Sequence, residues 1–188
     1  MQSPKPLIIA AALLAILALA APVLAGIPEP CSLITKEEAE AILGEAVKAP
    51  RTGKVVGMAE GVKCEYFTAA PIAKRGGTGM VKLTMFTKDT LGGGLFSSPE
   101  NYFERRFKAS NKAGAKLEEI SGLGEQAYWD SKSNVLHILA KDMYLLLSVI
   151  DLKKIKVKGG MDDLRKAVSE RRKKLTIDAA QKYIMPRL

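Results

Sequence analysis

The sequence contains few of the side chains from which metal centres and catalytic sites are built. Among its 188 residues there are two cysteines, Cys31 and Cys64, and one histidine, His137. A structural zinc site needs four such ligands, so these three residues disfavour bound zinc. A histidine that acts as a base also needs a positioned partner, and no serine, cysteine or aspartate motif supplies one. We therefore expect His137 to lie at the edge of the core. For the protein as a whole, we expect no cofactor and no enzymatic activity.

Two other patterns resemble functional motifs but lack the residues that those motifs require. The glycine-rich stretch 91–96 (LGGGLF) does not end in Gly-Lys-Ser/Thr, as a phosphate-binding loop does, and is better explained as a hinge or mobile loop. The acidic pairs Glu37-Glu38 and Asp162-Asp163 are consecutive, so in a helix their side chains point in different directions. These pairs favour helix starts over paired catalytic acids.

The first 25 residues have the three parts of a secretory signal peptide. Lys5 precedes an apolar run over residues 7–21, which is followed by the small and apolar residues 23–25. This pattern predicts cleavage after residue 25. A retained membrane anchor is the alternative, although the run is slightly short and alanine-rich for a bilayer span. We expect a single domain over residues 26–188, with no transmembrane span in the mature chain and a secreted or periplasmic location.

Export changes the meaning of the two cysteines. Thiols outside the cytoplasm meet an oxidising environment, and an even number of them can pair. Cys31 and Cys64 form the only intramolecular pair that the chain offers. We expect a disulfide between them, with free thiols as the alternative. Cys31 follows Glu29-Pro30 and not the small residues of a lipobox, which disfavours lipid attachment at that cysteine.

Positive charge is concentrated near the C-terminus. The formal net charge is +9, and from Asp151 onward there are twelve lysines and arginines against five aspartates and glutamates. Such a surface attracts anionic lipid, cell-wall polymer or an acidic protein. The alternative is a solvated helix face together with a charged strand edge that prevents sheet association. Nucleic acid is disfavoured by the export signal and by the lack of a recognisable binding motif. The candidate residues for an anionic partner are Lys153, Lys154, Lys156, Lys158, Arg171, Arg172, Lys173 and Lys174.

Three helices are predicted from their start signals. A capping box of Thr35 and Glu38 starts the first helix. Ser98 followed by Pro99 starts the second, and the paired acids after Met161 start the third. With the apolar stripes and stop signals that follow, these features predict helices over 36–43, over 99–112 and from 161. The residues expected to face inward are Ala39, Ile42 and Leu43 in the first helix, Tyr102, Phe103, Phe107 and Ala109 in the second, and Leu164, Ala167, Val168, Leu175 and Ala179 in the third.

Apolar and alternating runs predict an α+β fold with an antiparallel sheet of about five to six strands. In the stretch 122–151, residues 135–140 and 144–150 are rich in β-branched, aromatic and aliphatic side chains. Only residues 141–143 separate them, which predicts a tight hairpin at the centre of the sheet, covered on both faces. Leucine-rich runs of this length are also compatible with buried helix. Further strands are expected at 62–69, 80–87, 116–120 and 126–129, with at most a brief strand around Val55 and Val56.

Three short motifs occur along the chain. They are CSLITKEEAEAILGE at 31–45, CEYF with the second cysteine at 64–67, and GLGEQAYW at 122–129, which precedes a strand pair and a closing helix. This pattern resembles a group of secreted bacterial domains of unknown function, many of which are envelope lipoproteins. The resemblance covers most of residues 31–180 and implies a curved antiparallel sheet with packed helices, of the PsbP-like kind, and a tie between the two cysteines. The missing lipobox departs from the lipoprotein pattern, and no catalytic residues come with it.

These features together predict a binding or structural module of the bacterial cell envelope that is not an enzyme and that contacts an anionic partner through its basic C-terminal surface. The second hypothesis is a small-ligand carrier or sensor with a cleft between sheet and helix. An enzyme ranks third, because no nucleophile, base and stabiliser can be grouped from the sequence.

Overall fold

In a computed structural model of the chain, residues 28–70, 78–92, 94–151, 155 and 157–188 are described. The predicted signal peptide and three of the candidate lysines lie outside the described residues; those lysines are Lys153, Lys154 and Lys156.

Seven antiparallel strands and five α-helices make up the described part of the chain. The helices are α1 (Pro30–Leu33), α2 (Lys36–Leu43), α3 (Lys88–Leu91), α4 (Pro99–Lys112) and α5 (Met161–Ala179), and α5 continues into a π-helical turn (Ala180–Ile184) and a 3-10 turn (Met185–Arg187). The strands are β1 (Arg51–Val55), β2 (Gly61–Phe67), β3 (Met80–Thr87), β4 (Leu117–Glu119), β5 (Gln126–Asp130), β6 (Val135–Ala140) and β7 (Met143–Ile150). None of the described helices is long and apolar enough to cross a bilayer.

The strands form one sheet in the order β1-β2-β3-β7-β6-β5-β4. An α+β fold with an antiparallel sheet is confirmed, but the expected five to six strands were too few. The additional strand is β1, which was expected only as a brief strand around Val55 and Val56. It runs instead over Arg51–Val55 at the edge of the sheet, where its side chains are mostly exposed, and Val56 lies beyond it with 79% of its surface exposed. An edge strand of this kind lacks the apolar alternation from which strands are predicted.

The helix starts follow the predicted capping chemistry. In α2 the Thr35 hydroxyl accepts a hydrogen bond from the Glu38 amide while the Glu38 carboxylate accepts one from the Thr35 amide. Ser98 caps α4 by accepting from the Asn101 amide. Within α4, Tyr102 and Phe103 are buried and Phe107 is half-buried as expected, but Ala109 is exposed. It lies just outside the narrow stripe that this helix turns toward the sheet.

The hairpin between β6 and β7 is confirmed, with a shorter connection than expected. Only Lys141 and Asp142 connect the strands, at φ values of 47° and 58°, and Met143 already belongs to β7. Two successive residues with positive φ suit a tight hairpin turn. The sequence obscured this turn because Lys-Asp is not among the dipeptides that commonly form it.

The two faces of the sheet carry separate cores. On one face, which we call the disulfide face, α1, α2 and α5 cover an aliphatic cluster that includes Leu83, Leu145 and Leu147. On the other, which we call the α4 face, Tyr102 and Phe103 of α4 pack on an aromatic cluster of strand residues. The strand residues of that cluster are Phe86, Tyr128, Leu139 and Tyr144. The central strands are therefore covered on both sides, as expected.

The expected disulfide between Cys31 and Cys64 is present and joins α1 to β2. Both elements lie on the disulfide face, where the Tyr66 hydroxyl donates a hydrogen bond of 2.7 Å to the Ile34 carbonyl. The N-terminal helices are thereby held to the sheet by one covalent and one polar contact.

We expect reduction of this disulfide to lower the free energy of unfolding by roughly 3–4 kcal/mol, because the open chain gains conformational freedom when unfolded. Urea unfolding with and without reductant measures the change. The double variant Cys31→Ser/Cys64→Ser is the control and should show no effect of reductant. Equal stability of the oxidised and reduced protein would contradict the expectation.

Gly124, at the turn before β5, allows a close backbone approach. Its φ is +60°, and a Cβ at this position would lie 2.4 Å from the Leu139 carbonyl oxygen. That carbonyl accepts a hydrogen bond of 2.8 Å from the Glu125 amide. Gly122 has a φ of +77° but no atom within 4 Å of such a Cβ.

We expect Gly124→Ala to destabilise the protein more than Gly122→Ala. Both substitutions place a side chain in the left-handed region, at about 1–2 kcal/mol, but only Gly124→Ala also displaces a strand carbonyl, at roughly 1–3 kcal/mol more. Thermal unfolding of the two variants compares them. Equal losses of thermal stability in the two variants would show that the turn can move away from β6 without a free-energy cost.

Candidate ligand cleft

Strand register places three chemically useful side chains side by side on the α4 face. Glu119 of β4 is opposite Tyr128 of β5, and Tyr128 is opposite His137 of β6. Directly opposed residues of antiparallel strands point to the same face. Tyr128 and His137 are buried, with 1% and 0% of their surfaces exposed, and their rings stack 4.3 Å apart at 15°.

His137 is also tied to the central strand. Its Nδ1 shares a hydrogen bond of 2.5 Å with the hydroxyl of Tyr144 on β7. Tyr144 is fully buried and stacks with Phe86 at a centroid distance of 5.5 Å. The expected position of His137 at the core edge is therefore corrected: it lies inside the core, because α4 covers this part of the sheet.

Burial keeps this cluster uncharged. It lowers the pKa of His137 to about 3, an effect that the nearby Arg106 guanidinium reinforces and the Asp130 carboxylate opposes. Burial also raises the pKa of the Tyr128 and Tyr144 hydroxyls. The imidazole and both phenols are therefore neutral at ordinary pH.

Three buried polar atoms of the cluster have no hydrogen-bond partner among the described residues: Tyr128 Oη, His137 Nε2 and Arg106 Nε. The Tyr144 hydroxyl is close enough to Tyr128 to influence its pKa, but the geometry does not complete a hydrogen bond to Tyr128 Oη. Most buried polar atoms in folded proteins are paired, and leaving one unpaired costs about 1–3 kcal/mol. A concentration of such atoms marks this face of the sheet as a candidate site.

A cleft of about 580 Å³ opens beside the cluster, between α4 and strands β4 and β5. Its inner wall is aromatic. The Tyr128 ring meets Phe103 edge-on at 5.2 Å and Phe107 at 5.1 Å, and all three residues line the cleft. Phe103 and Phe107 are one helical turn apart, so α4 presents both to the same strand.

The rim of the cleft is polar and mostly acidic. Glu104, Glu119 and Glu125 line it together with Lys108. Lys108 Nζ lies 3.5 Å from the Glu104 carboxylate, so these two charges offset each other. Glu125 Oε1 accepts a hydrogen bond of 3.0 Å from the Lys141 amide, which fixes the carboxylate at the end of the hairpin.

This arrangement is suited to recognition. His137 does not line the cleft and lies behind Tyr128, and a pKa of about 3 makes it a weak base. Within the part of the chain that the structure describes, no group of three histidine, cysteine, aspartate or glutamate side chains is placed to hold a metal ion. What the cleft offers is an aromatic wall and a set of carboxylates.

The predicted basic surface is only partly within the described residues. Lys158 is exposed. On α5, Arg171 pairs with the buried carboxylate of Asp151, and its half-buried side chain fits the expectation that its stem lies on the sheet side. Lys173 pairs with Glu118 at 2.6 Å and Lys174 with Asp178 at 2.7 Å, while Arg172 Nε is buried without a partner. Three of the four candidate cations on α5 thus have acidic partners in the fold. The anionic-partner role of these residues stays a prediction.

The residues of the cleft were not singled out from the sequence as a site. Phe103 and Phe107 were identified only as core residues of α4, and Tyr128 only as part of a strand. The pairing of Tyr128 with Glu119 and His137 depends on strand register, which periodicity does not determine. One usable signal is the spacing of Phe103 and Phe107, since an aromatic pair one turn apart marks a helix face that covers a wide apolar surface.

Comparison with known proteins identified no relative. No protein-family model matches the chain, no curated protein is similar to it, and no solved structure matches its fold. The resemblance to secreted envelope domains, and the curvature of the sheet that it implies, therefore stay predictions.

We expect the imidazole signal of His137 in a proton NMR spectrum to stay unchanged from about pH 8 to pH 5, because the native pKa is about 3. His137 is the only histidine of the sequence, so in untagged protein the signal needs no assignment. Urea-unfolded protein is the control and should titrate near 6.5, the ordinary value. A native midpoint near 6.5 would show that the ring is solvated.

The lowered pKa of His137 also makes the free energy of unfolding depend on pH. The native pKa of His137 is below that of the unfolded chain, so the unfolded chain binds the proton first. The stabilisation associated with neutral His137 is complete above about pH 6.5 and is lost as the pH falls toward 3. Unfolding free energies of the protein and of His137→Phe, compared from about pH 7 to 4.5, should show a flatter curve for the variant.

Proposed function

We propose that the protein is an exported binding module, not an enzyme, that carries or senses a small organic ligand in the cleft between α4 and the sheet. The observation that carries this proposal is the inner wall of the cleft, where Phe103 and Phe107 of α4 meet Tyr128 of β5 beside a polar rim. A cleft of about 580 Å³ is within the usual range for small-molecule sites, which is roughly 300–1,000 Å³.

Export is supported by the signal-peptide pattern in the first 25 residues and by the disulfide. Disulfides persist mainly in oxidising compartments such as the periplasm and the extracellular space. The ligand proposed here is therefore one that the protein meets outside the cytoplasm.

The cleft supports a ligand role better than the described part of the basic surface supports an anionic partner. A docking surface needs charges that are free to meet the partner, but Arg171, Lys173 and Lys174 are each engaged with an acid of the same chain. The cleft wall, by contrast, is aromatic beside a few polar groups, which is the usual make-up of a small-molecule site.

A substitution at the mouth of the cleft tests the proposal. Gln126 lines the cleft and is exposed, so Gln126→Trp should fill the mouth without disturbing the core. We expect native mass spectrometry of gently purified protein to show a bound small molecule, and Gln126→Trp to lose it. Gln181→Trp, the same change at an exposed position after α5, is the matched control and should retain the ligand.

Two results would contradict the proposal. One is a native mass equal to that of the polypeptide in every preparation. The other is a bound molecule that Gln126→Trp retains as well as Gln181→Trp does, since the ligand would then occupy another part of the protein.

A further inference from the structure

The charge of the cleft is opposite to that of the protein. The chain has a formal net charge of +9, yet the ionisable side chains at the cleft rim are three glutamates and one lysine. Since the Glu104 carboxylate pairs with Lys108, Glu119 and Glu125 supply the net negative charge. We infer that the cleft selects a small organic cation, an ammonium group carried on an apolar or aromatic body. This inference rests on the proposed function and names the ligand class.

The two carboxylates are held at the cleft by different parts of the backbone. Glu119 lies next to Tyr128 through the β4–β5 register, and within the described residues its carboxylate makes no ion pair. Glu125 precedes β5, and its Oε1 is fixed by the Lys141 amide. A cation in the cleft would complete the charge balance of both acids.

The wall behind these acids is suited to the same ligand. Phe103, Phe107 and Tyr128 present aromatic rings, and a cation near an aromatic face is attracted by the negative potential of the ring.

The cleft is less suited to anionic and neutral ligands. A carboxylate or phosphate in the cleft would face the rim glutamates at close range. Arg106, whose buried Nε lacks a partner, belongs to the cluster behind the wall and does not line the cleft. A neutral aromatic molecule would gain the apolar contact alone.

Three probes of one shape and different charge test the inference: benzylammonium, benzyl alcohol and benzoate at pH 7 and low salt. Amide chemical shifts of β5 in the full chain report binding. We expect benzylammonium to bind about fivefold more tightly than benzyl alcohol, the size of effect that cation–π and rim-charge interactions give at partly exposed sites. Benzoate should bind most weakly, and the preference should fall as salt is added.

Charge-removing variants assign the preference to its residues. Glu119→Gln/Glu125→Gln should bind benzylammonium and benzyl alcohol equally, because glutamine keeps the acceptor that holds the Lys141 amide but removes the charge. Glu118→Gln is the matched control: Glu118 is the neighbour of Glu119 on the other face of β4, where it pairs with Lys173, so its loss should leave the preference unchanged.

The outcomes separate the two proposals. If benzyl alcohol or benzoate shifts the β5 amides as strongly as benzylammonium does, the cleft binds ligands but the inferred cation selectivity is wrong. If none of the three probes shifts them, both the cleft function and the cation selectivity are contradicted.

Discussion

The pairing of β3 with β7 is the interaction on which the rest of the structure depends. Eight residue pairs, from Met80 opposite Ile150 to Thr87 opposite Met143, join one meander of β1, β2 and β3 to a second of β4 to β7. Because side chains alternate between faces, a shift of one residue in this ladder would move Tyr144 to the disulfide face and Leu145 to the α4 face. Both side chains are fully buried on their own faces, so the packing on each side opposes the shift and fixes the register. The positions of His137 and Tyr128 follow from that register, strand by strand.

The two faces that this register creates have different physical properties. The disulfide face is filled mainly by aliphatic side chains and is closed by α1, α2 and α5. Its helices are also held by polar contacts: Thr176 of α5, for example, accepts a hydrogen bond of 3.2 Å from the Val149 amide. The α4 face is aromatic and contains three buried polar atoms that lack partners among the described residues. The short helix α3 lies against β2 and β3 on this face, and a cleft remains between α4 and strands β4 and β5. The candidate site therefore lies on the α4 face.

Much of the fold could be predicted from the sequence because its signals are local. The capping box of Thr35 and Glu38 sets the start of α2, and alternation sets β3 to the residue. The disulfide could be predicted because the chain offers only one pair of cysteines. The strand count could not be predicted, because β1 is an exposed edge strand whose sequence, RTGKV, shows no apolar alternation.

The candidate site could not be predicted from the sequence for a different reason. Its wall combines Phe103 and Phe107 from a helix with Tyr128 from a strand, and the contacts between them depend on long-range packing that no short motif encodes.

The buried polar atoms behind the wall have a cost that the cleft helps to explain. Phenylalanine at position 137 would fill similar space with no polar atom, whereas the unpaired His137 Nε2 costs about 1–3 kcal/mol. His137 stacks on Tyr128 and shares a hydrogen bond with Tyr144, so it connects the wall to the central strand. The Tyr128 ring is held in addition by edge contacts with Phe103 and Phe107. Rotation of Tyr128 would break all of these contacts at once, which keeps the wall in place before any ligand arrives. A site that is ordered in advance loses little conformational entropy on binding.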